Sequence, residues 1–286
     1  LKISYSLQKD SFFLRWYLKS GKPITLLGIF FLTVILITTI IGPFLVPNDP
    51  LSANMAERLA SPSFTYPFGT DHMGRCIFSR LVIGSQATLG ITALVIATVI
   101  LIGIPIGLLS GYIGGRFDSF VMRIADGLIA LPEFILAIAI AGFLGPSLMN
   151  LMISVVVVKW ISYTRVVRSI VLSEREKEYV LAAKVGGCPT WKIITRHLLP
   201  QIISPVLVLA ALDVGKVILI ISSLSYLGLG AQPPVPEWGA MLNEGRPYFQ
   251  TFPELMIYPG VAIFLVVLSC NLIGEGLRDK LDVKSI

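Results

Sequence analysis

From Leu81 to Gly115 the chain runs 35 residues without a charged side chain. That run constrains the fold more than any other feature. A helix needs only about 20 mostly apolar residues to cross the ~30 Å hydrocarbon core of a bilayer. Four further runs resemble it. Between Pro23 and Pro47 lie 23 uncharged residues, and Leu255 to Gly274 is uncharged as well. Gly127 to Val158 carries Glu133 alone, and Leu198 to Leu229 carries only Asp213 and Lys216. Gly145-Pro146 divides the run at Gly127 into two, because proline cannot continue a helix's hydrogen bonding. Six membrane-length spans result, and the fold class expected is an all-α integral membrane protein with six transmembrane helices. Composition agrees: 55% of the 286 residues are hydrophobic and 14% charged, against about 25% charged in an average soluble chain. A soluble globule, a disordered chain, a collagen and a coiled coil are all excluded by this pattern.

The scarce charge is unevenly placed. Cytoplasmic loops of membrane proteins carry an excess of Lys and Arg. The N-terminal segment holds Lys2, Lys9, Arg15, Lys19 and Lys22, and the loop after the second span holds Arg116 and Arg123. Seven more lie between spans four and five, and Arg278, Lys280 and Lys284 close the chain. The opposite side holds Arg58, Arg75, Arg80 and Arg246. Both termini are therefore expected in the cytoplasm. The organisation reads as a cytoplasmic segment 1–23, a first span with outer loop 24–80, a five-span core 81–276 with a cytoplasmic loop 165–200, and a cytoplasmic tail 277–286. No cleavable signal is evident: the first apolar run is too long for a signal peptide, and no small-residue cleavage site follows it. The basic balance is a topology signal, and no nucleic-acid partner is expected, since no basic patch with interleaved aromatics accompanies it.

Catalytic and nucleotide-binding signatures are missing from the sequence. There is no G-x-x-x-x-G-K-[ST] phosphate loop, no H-E-x-x-H and no G-x-S-x-G. His72 and His197 fall on opposite sides of the membrane, so they cannot share a metal. No catalytic residue, no metal site and no cofactor on this chain are expected. Cys76, Cys188 and Cys270 are an odd, scattered set and read as free thiols. A polytopic protein without catalytic groups is a pore, a carrier or a receptor.

The loop 165–200 is longer than a helix connection needs to be. Its first part is charged and helix-prone, with Glu174 and Glu178 spaced to share one face. Ala182-Ala183 leaves a smooth patch for a neighbouring backbone, and Gly186-Gly187 allows a tight C-terminal turn. Trp191, Ile194 and Leu198 recur at helical spacing. A pair of short cytoplasmic helices with a small-residue contact face is expected, against the plainer alternative of a solvated linker.

This stretch resembles the EAA signature of permease subunits of bacterial ATP-binding-cassette importers, through Leu181-Ala182-Ala183, Gly187 and the closing Leu199-Pro200. Leu181 stands where that family often has Glu. Phe68 to Arg75, Ser79-Arg80-Leu81 with Gly84, Leu224 to Gly230, Glu237-Trp238-Gly239 and Leu277-Arg278-Asp279 with Leu281-Asp282 are similar to motifs of its dipeptide, oligopeptide and nickel branch. Cys76 sits where Asp is common. Ile221, where peptide members often have an acidic residue, and Asp213 to Lys216 lean toward the nickel and opine-metallophore members.

The resemblance implies a type I importer permease fold in the bacterial inner membrane. It implies half of a translocation path for a small peptide or a metal-chelate complex. It implies three kinds of partner: a second homologous permease, two ATPase subunits carrying ATP and Mg, and an extracytoplasmic substrate-binding protein. The ATPase-coupling residues would be Glu178, Tyr179, Ala182, Ala183, Gly187, Trp191, His197, Leu199 and Pro200. The competing class is a secondary transporter or channel, for which inverted repeats and broken helices at the midplane are expected.

Gly103, Gly107, Gly111 and Gly115 recur every four residues, a small-residue face against which a neighbouring helix can close. Four ionisable residues lie inside spans, where such groups are costly and pair or face a cavity. Glu133 and Lys159 are each 13 residues from Pro146, so antiparallel helices joined there bring them to equal depth and into contact. Asp213 and Lys216 can pair within one helix. These four are the candidate translocation path, or else two bundle-internal ion pairs. The outer loop 231–253, rich in Pro and aromatics, reads as a docking surface for the binding protein together with Pro47 to Arg80, or as a folded cap.

Overall fold

The computed structural model describes residues 23–281. The first 22 residues, with five of the basic side chains, and residues 282–286 lie outside them. Among the described residues, the regular elements are ten α-helices and a few tighter turns. An isolated Thr70–Cys76 bridge is the extended pairing found among the described residues.

The helices are α1 (Pro23–Ile41), α2 (Ile77–Ile113), α3 (Gly115–Ile129), α4 (Glu133–Leu144) and α5 (Leu148–Glu174). They continue as α6 (Glu178–Val185), α7 (Thr190–Ile193), α8 (Leu199–Tyr226), α9 (Trp238–Gly245) and α10 (Glu254–Leu281). Four stretches are long and apolar enough to cross a bilayer: Pro23–Phe44, Ile77–Ile113, Thr190–Tyr226 and Glu254–Asp279. The pair α3 and α4 makes a fifth if counted as one broken span, bent by 90°.

That bend corrects the expected third span. The run from Gly127 does not form one helix, because Pro132 offers no N–H and disfavours the helical conformation at Leu131. Helix α4 alone has 12 residues and is about 18 Å long, too short for a ~30 Å core. Arg116 and Arg123, expected in a loop, lie on α3. Ion pairs from Asp118 to Arg168 and from Asp126 to Arg165 tie α3 to α5.

Helix α2 packs most extensively on α5, and the two run parallel. Three glycines permit it. A Cβ at Gly103 would lie 2.7 Å from Tyr163 Cβ, one at Gly107 2.7 Å from Val167 Cβ, and one at Gly111 2.8 Å from Val171 Cβ. The fourth expected member is not on this face. Gly114 takes φ +68 and ends the helix, so Gly115 starts α3 with nothing near its missing side chain. Pro105 lies inside α2, which continues through it. Val95, Val99, Leu151, Val155, Val167, Val217 and Leu224 form the core between α2, α5 and α8. Helix α10 joins α8 to α1, with Gly28 against Leu272 and Gly276 against Thr25.

These contacts sort the connections to two ends. Near one end lie the α2–α3 junction, the α5–α8 connection, the start of α1 and the end of α10. The segment 42–76, the Gly145-Pro146 turn and residues 227–253 cluster at the other.

Candidate functional site

The α5–α8 connection is shorter than expected, because both flanks are helical. Helix α5 runs on to Glu174, and α7 with a π turn at Ile194–Leu198 leads straight into α8. Glu174 and Glu178 therefore do not share a helix face: the turn 175–177 separates them. Gly187, at φ +75, closes α6. The Cys188 N–H donates to Ala183 O and the Gly187 N–H to Lys184 O, both at 3.0 Å, the paired bonds of a Schellman turn.

Val180, Ile193 and Leu198 are buried and anchor the segment to the bundle. Ile193 and Leu198 are five apart and both inward because the π turn adds a residue. Trp191 is corrected accordingly: it is 67% exposed and off the buried stripe. Ala183 and His197 are half-buried, while Glu178, Ala182 and Pro200 are exposed. Leu199 packs against the core. The Tyr179 hydroxyl donates to Glu174 Oε2 at 2.6 Å, and its ring tilts over His197. Burial first, and then the Glu174 carboxylate, push the Tyr179 phenol up to about 12. The outward face thus carries Tyr179, Leu181, Ala182, Val185 and Trp191, with Val185 91% exposed. Leu181 and Val185 were not singled out by sequence as contact residues, though Leu181 marks the family departure. Their spacing of four places them together on α6.

Within the helices, all four expected ionisable residues meet. Lys159 Nζ lies 2.9 Å from Glu133 Oε1 and 3.4 Å from Asp213 Oδ1, and Lys216 Nζ is 3.8 Å from the same Asp213 oxygen. This corrects the reading of two separate pairs: Lys159 links them into one network across α4, α5 and α8. Glu133 is the first residue of α4, where the helix dipole favours a carboxylate. The pairs differ in exposure. The side chains of Lys159 and Asp213 are 6% and 5% exposed, those of Glu133 and Lys216 41% and 67%.

The opposite end is a folded cap. Arg75 and Arg80, each 1% exposed, both reach Asp71 and Glu244, with the closest contact 2.6 Å from Arg75 to Glu244. Glu237 is buried at the N-terminus of α9, accepting from the Gly239 and Ala240 N–H groups and from Thr88 Oγ1. Trp238 Nε1 donates to Leu81 O. Trp238 and Pro236 face inward, which corrects their place on an outer contact surface, while Pro233, Pro234, Pro247 and Phe249 remain exposed. Asp71, His72 and Glu244 place potential ligand atoms within 4.8 Å of one another, a grouping that sequence spacing hid. Both carboxylates already serve the two guanidiniums. Cys76, Cys188 and Cys270 are free thiols.

Residues 103–284 match the family described as binding-protein-dependent transport system inner membrane component. The dipeptide transport system permease protein of Alkalihalophilus pseudofirmus is 41% identical over 267 residues, 93% of this chain and 88% of that one. The probable D,D-dipeptide transport system permease protein of Escherichia coli K12 is 40% identical, over 94% of this chain and 90% of its own. The nickel transport system permease protein of the same organism is 38% identical, over 90% and 92%. Those matches, on a helical bundle with membrane-length spans and an exposed helical connection at one end, are sufficient. The chain belongs to the binding-protein-dependent transport system inner membrane components, as a non-catalytic inner-membrane permease subunit of an ATP-binding-cassette importer in the dipeptide and nickel branch, ATP being hydrolysed by separate ATPase subunits.

Proposed function

We propose that this permease forms half of the path for a small peptide or a metal-chelate complex, beside a second homologous permease, above two ATPases and beneath a substrate-binding protein. The names of its relatives, two for dipeptide systems and one for nickel, support that range of cargo. In this reading the chain crosses six times. Helices α1, α2, α8 and α10 give four crossings and the bent α3–α4 pair the third in order. Helix α5, about 40 Å long with Lys159 neutralised inside the bundle, gives the fourth. Both termini and α6 lie in the cytoplasm, where the excess of Lys and Arg belongs.

One observation carries the coupling role: the exposed apolar face of Leu181, Ala182, Val185 and Trp191 at the basic end. Apolar side chains gathered on an exposed face mark a contact surface. ATP and Mg would sit on the partner that covers it. Closure of the ATPases would press on Tyr179, Ala182, Ala183 and Trp191, and the helix α5 above them would pass that movement to the path. At the other end, the exposed Pro233, Pro234, Pro247 and Phe249 would meet the binding protein. The test is Ala182→Trp in the assembled transporter. Ala182 is exposed, so the fold tolerates the change, whereas Gly187 at φ +75 strains with any side chain. ATP-driven uptake and retention of the ATPase are expected to fall together, with capture of cargo by the binding protein unaltered. Normal uptake with the ATPase retained would refute the assignment.

A further inference from the structure

The intramembrane network has a buried half and an exposed half, and the two differ in what they can do. Lys216 is about 15 Å from the nearer end of α8, and Lys159 about 16 Å from the nearer end of α5. Both therefore sit near the middle of helices that cross the membrane. A charge presented to hydrocarbon at that depth is costly, and ionisable side chains there face water or a polar partner. Lys159 and Asp213 meet this condition by burial against each other. Glu133 and Lys216 meet it only in part. Glu133 leaves 41% of its side chain exposed, and Lys216 leaves 67% exposed at a loose 3.8 Å from Asp213.

We infer that Glu133 and Lys216 are the cargo-contacting groups of this half of the path, and that they select a zwitterion carrying one ammonium and one carboxylate. The inference rests on the path reading above and adds to it the class of cargo and the role of each residue. Glu133 offers a carboxylate to the cargo's ammonium, and Lys216 offers an ammonium to the cargo's carboxylate. Lys159 and Asp213 are positioning residues that hold the two in place and keep the network neutral.

Neutrality sets the selectivity. Cargo with a single net charge gives up its hydration and regains a partner at one end only, leaving the group that faces the other end without one. A zwitterion exchanges water for an opposite charge at both ends. A bare divalent cation can pair at Glu133 but is repelled at Lys216, whose ammonium it leaves without a partner. A metal is therefore accepted only inside a chelate that displays both signs. Selection of this kind lies in the permease and acts after any choice made by the binding protein.

The experiment uses the full transporter in proteoliposomes, with dialanine, N-acetyl-dialanine and dialanine amide as probes. First, Glu133→Cys and Lys216→Cys are exposed to a water-soluble charged thiosulfonate. Labelling above that of the three native cysteines is expected for both. Shielding of both would place them in a dry interface and overturn the path reading together with this inference. Second, uptake of the three probes is compared. The wild-type transporter is expected to favour free dialanine. Glu133→Gln should lose about tenfold of the discrimination against the acetylated form, and Lys216→Gln about tenfold of that against the amide. Glu133→Asp should recover part of it, which separates loss of the charge from loss of fold. Labelling with unchanged discrimination, or a wild-type transporter that does not favour dialanine, would overturn the zwitterion assignment and leave the path reading standing.

Discussion

Lys159 is the side chain on which three helices converge. It is buried, and its ammonium is satisfied by Glu133 from α4 and Asp213 from α8. Removing one member of a buried charge set strands the others, at about 3–5 kcal/mol. Lys159→Met should therefore destabilise the bundle by about 3 kcal/mol, since Asp213 loses its buried counter-charge and the Lys216 contact is loose. Adding Asp213→Asn in the same chain should restore most of that. Unfolding midpoints of the purified single and double variants check it, and equal losses in both would contradict the argument. The Glu133–Lys159 contact was legible in the sequence because both residues count 13 positions from one turn. Asp213 as a third partner was not, because spacing along α8 speaks of Lys216 and says nothing of α5. Tyr179 shows the same limit: its hydrogen bond to Glu174 crosses the turn 175–177, which reads in sequence as uninterrupted helix.

At the scale of elements, backbone punctuation was harder to read than apolar length. The charge-free runs located the long helices because crossing a membrane requires them. What ended the helices was local: Pro132 bends the third run, and Gly114 cuts Gly115 from its expected stripe. The π turn at Ile194–Leu198 has no simple sequence mark and shifts which residues face inward, so Trp191 was misplaced. The surviving glycines give a sharp contrast. A Cβ at Gly107 would lie 2.7 Å from the Thr164 carbonyl oxygen and from Val167, both fixed in α5, whereas one at Gly90 meets nothing within 4 Å. Gly107→Ala should cost about 1–3 kcal/mol by forcing α2 off α5. Gly90→Ala should gain about 0.5–1 kcal/mol through lower unfolded-chain entropy. Denaturation of the two variants in parallel measures both signs.

Across the whole molecule, the basic connections that the sequence grouped on one side come together at one end where the structure describes them. Arg175 donates to Gly111 O, Lys184 lies over Tyr112, and Gly276 abuts Thr25. The cap at the other end gathers motifs far apart in sequence, such as Arg75 and Glu244, 169 residues apart. Sequence order alone could not show that these motifs answer one another through charge. The orientation is testable with two exposed positions. Val185→Cys should be labelled by an impermeant thiol reagent only from the cytoplasmic side, and Phe64→Cys only from the outer side. The reverse pattern would invert the topology.

The glycine contacts between α2 and α5 have a mechanical consequence. With Tyr163, Val167 and Val171 seated where three side chains are missing, and Arg175 bound to Gly111 O, the two helices have no slack between them. They form one stiff beam about 40 Å long, with the exposed connection at one tip. A tilt of roughly 10° applied there would sweep the far tip through about 7 Å, more than the ~5.4 Å of one helical turn. In the coupling proposed above, a beam of this stiffness would turn a small stroke at one membrane face into a wide one at the other.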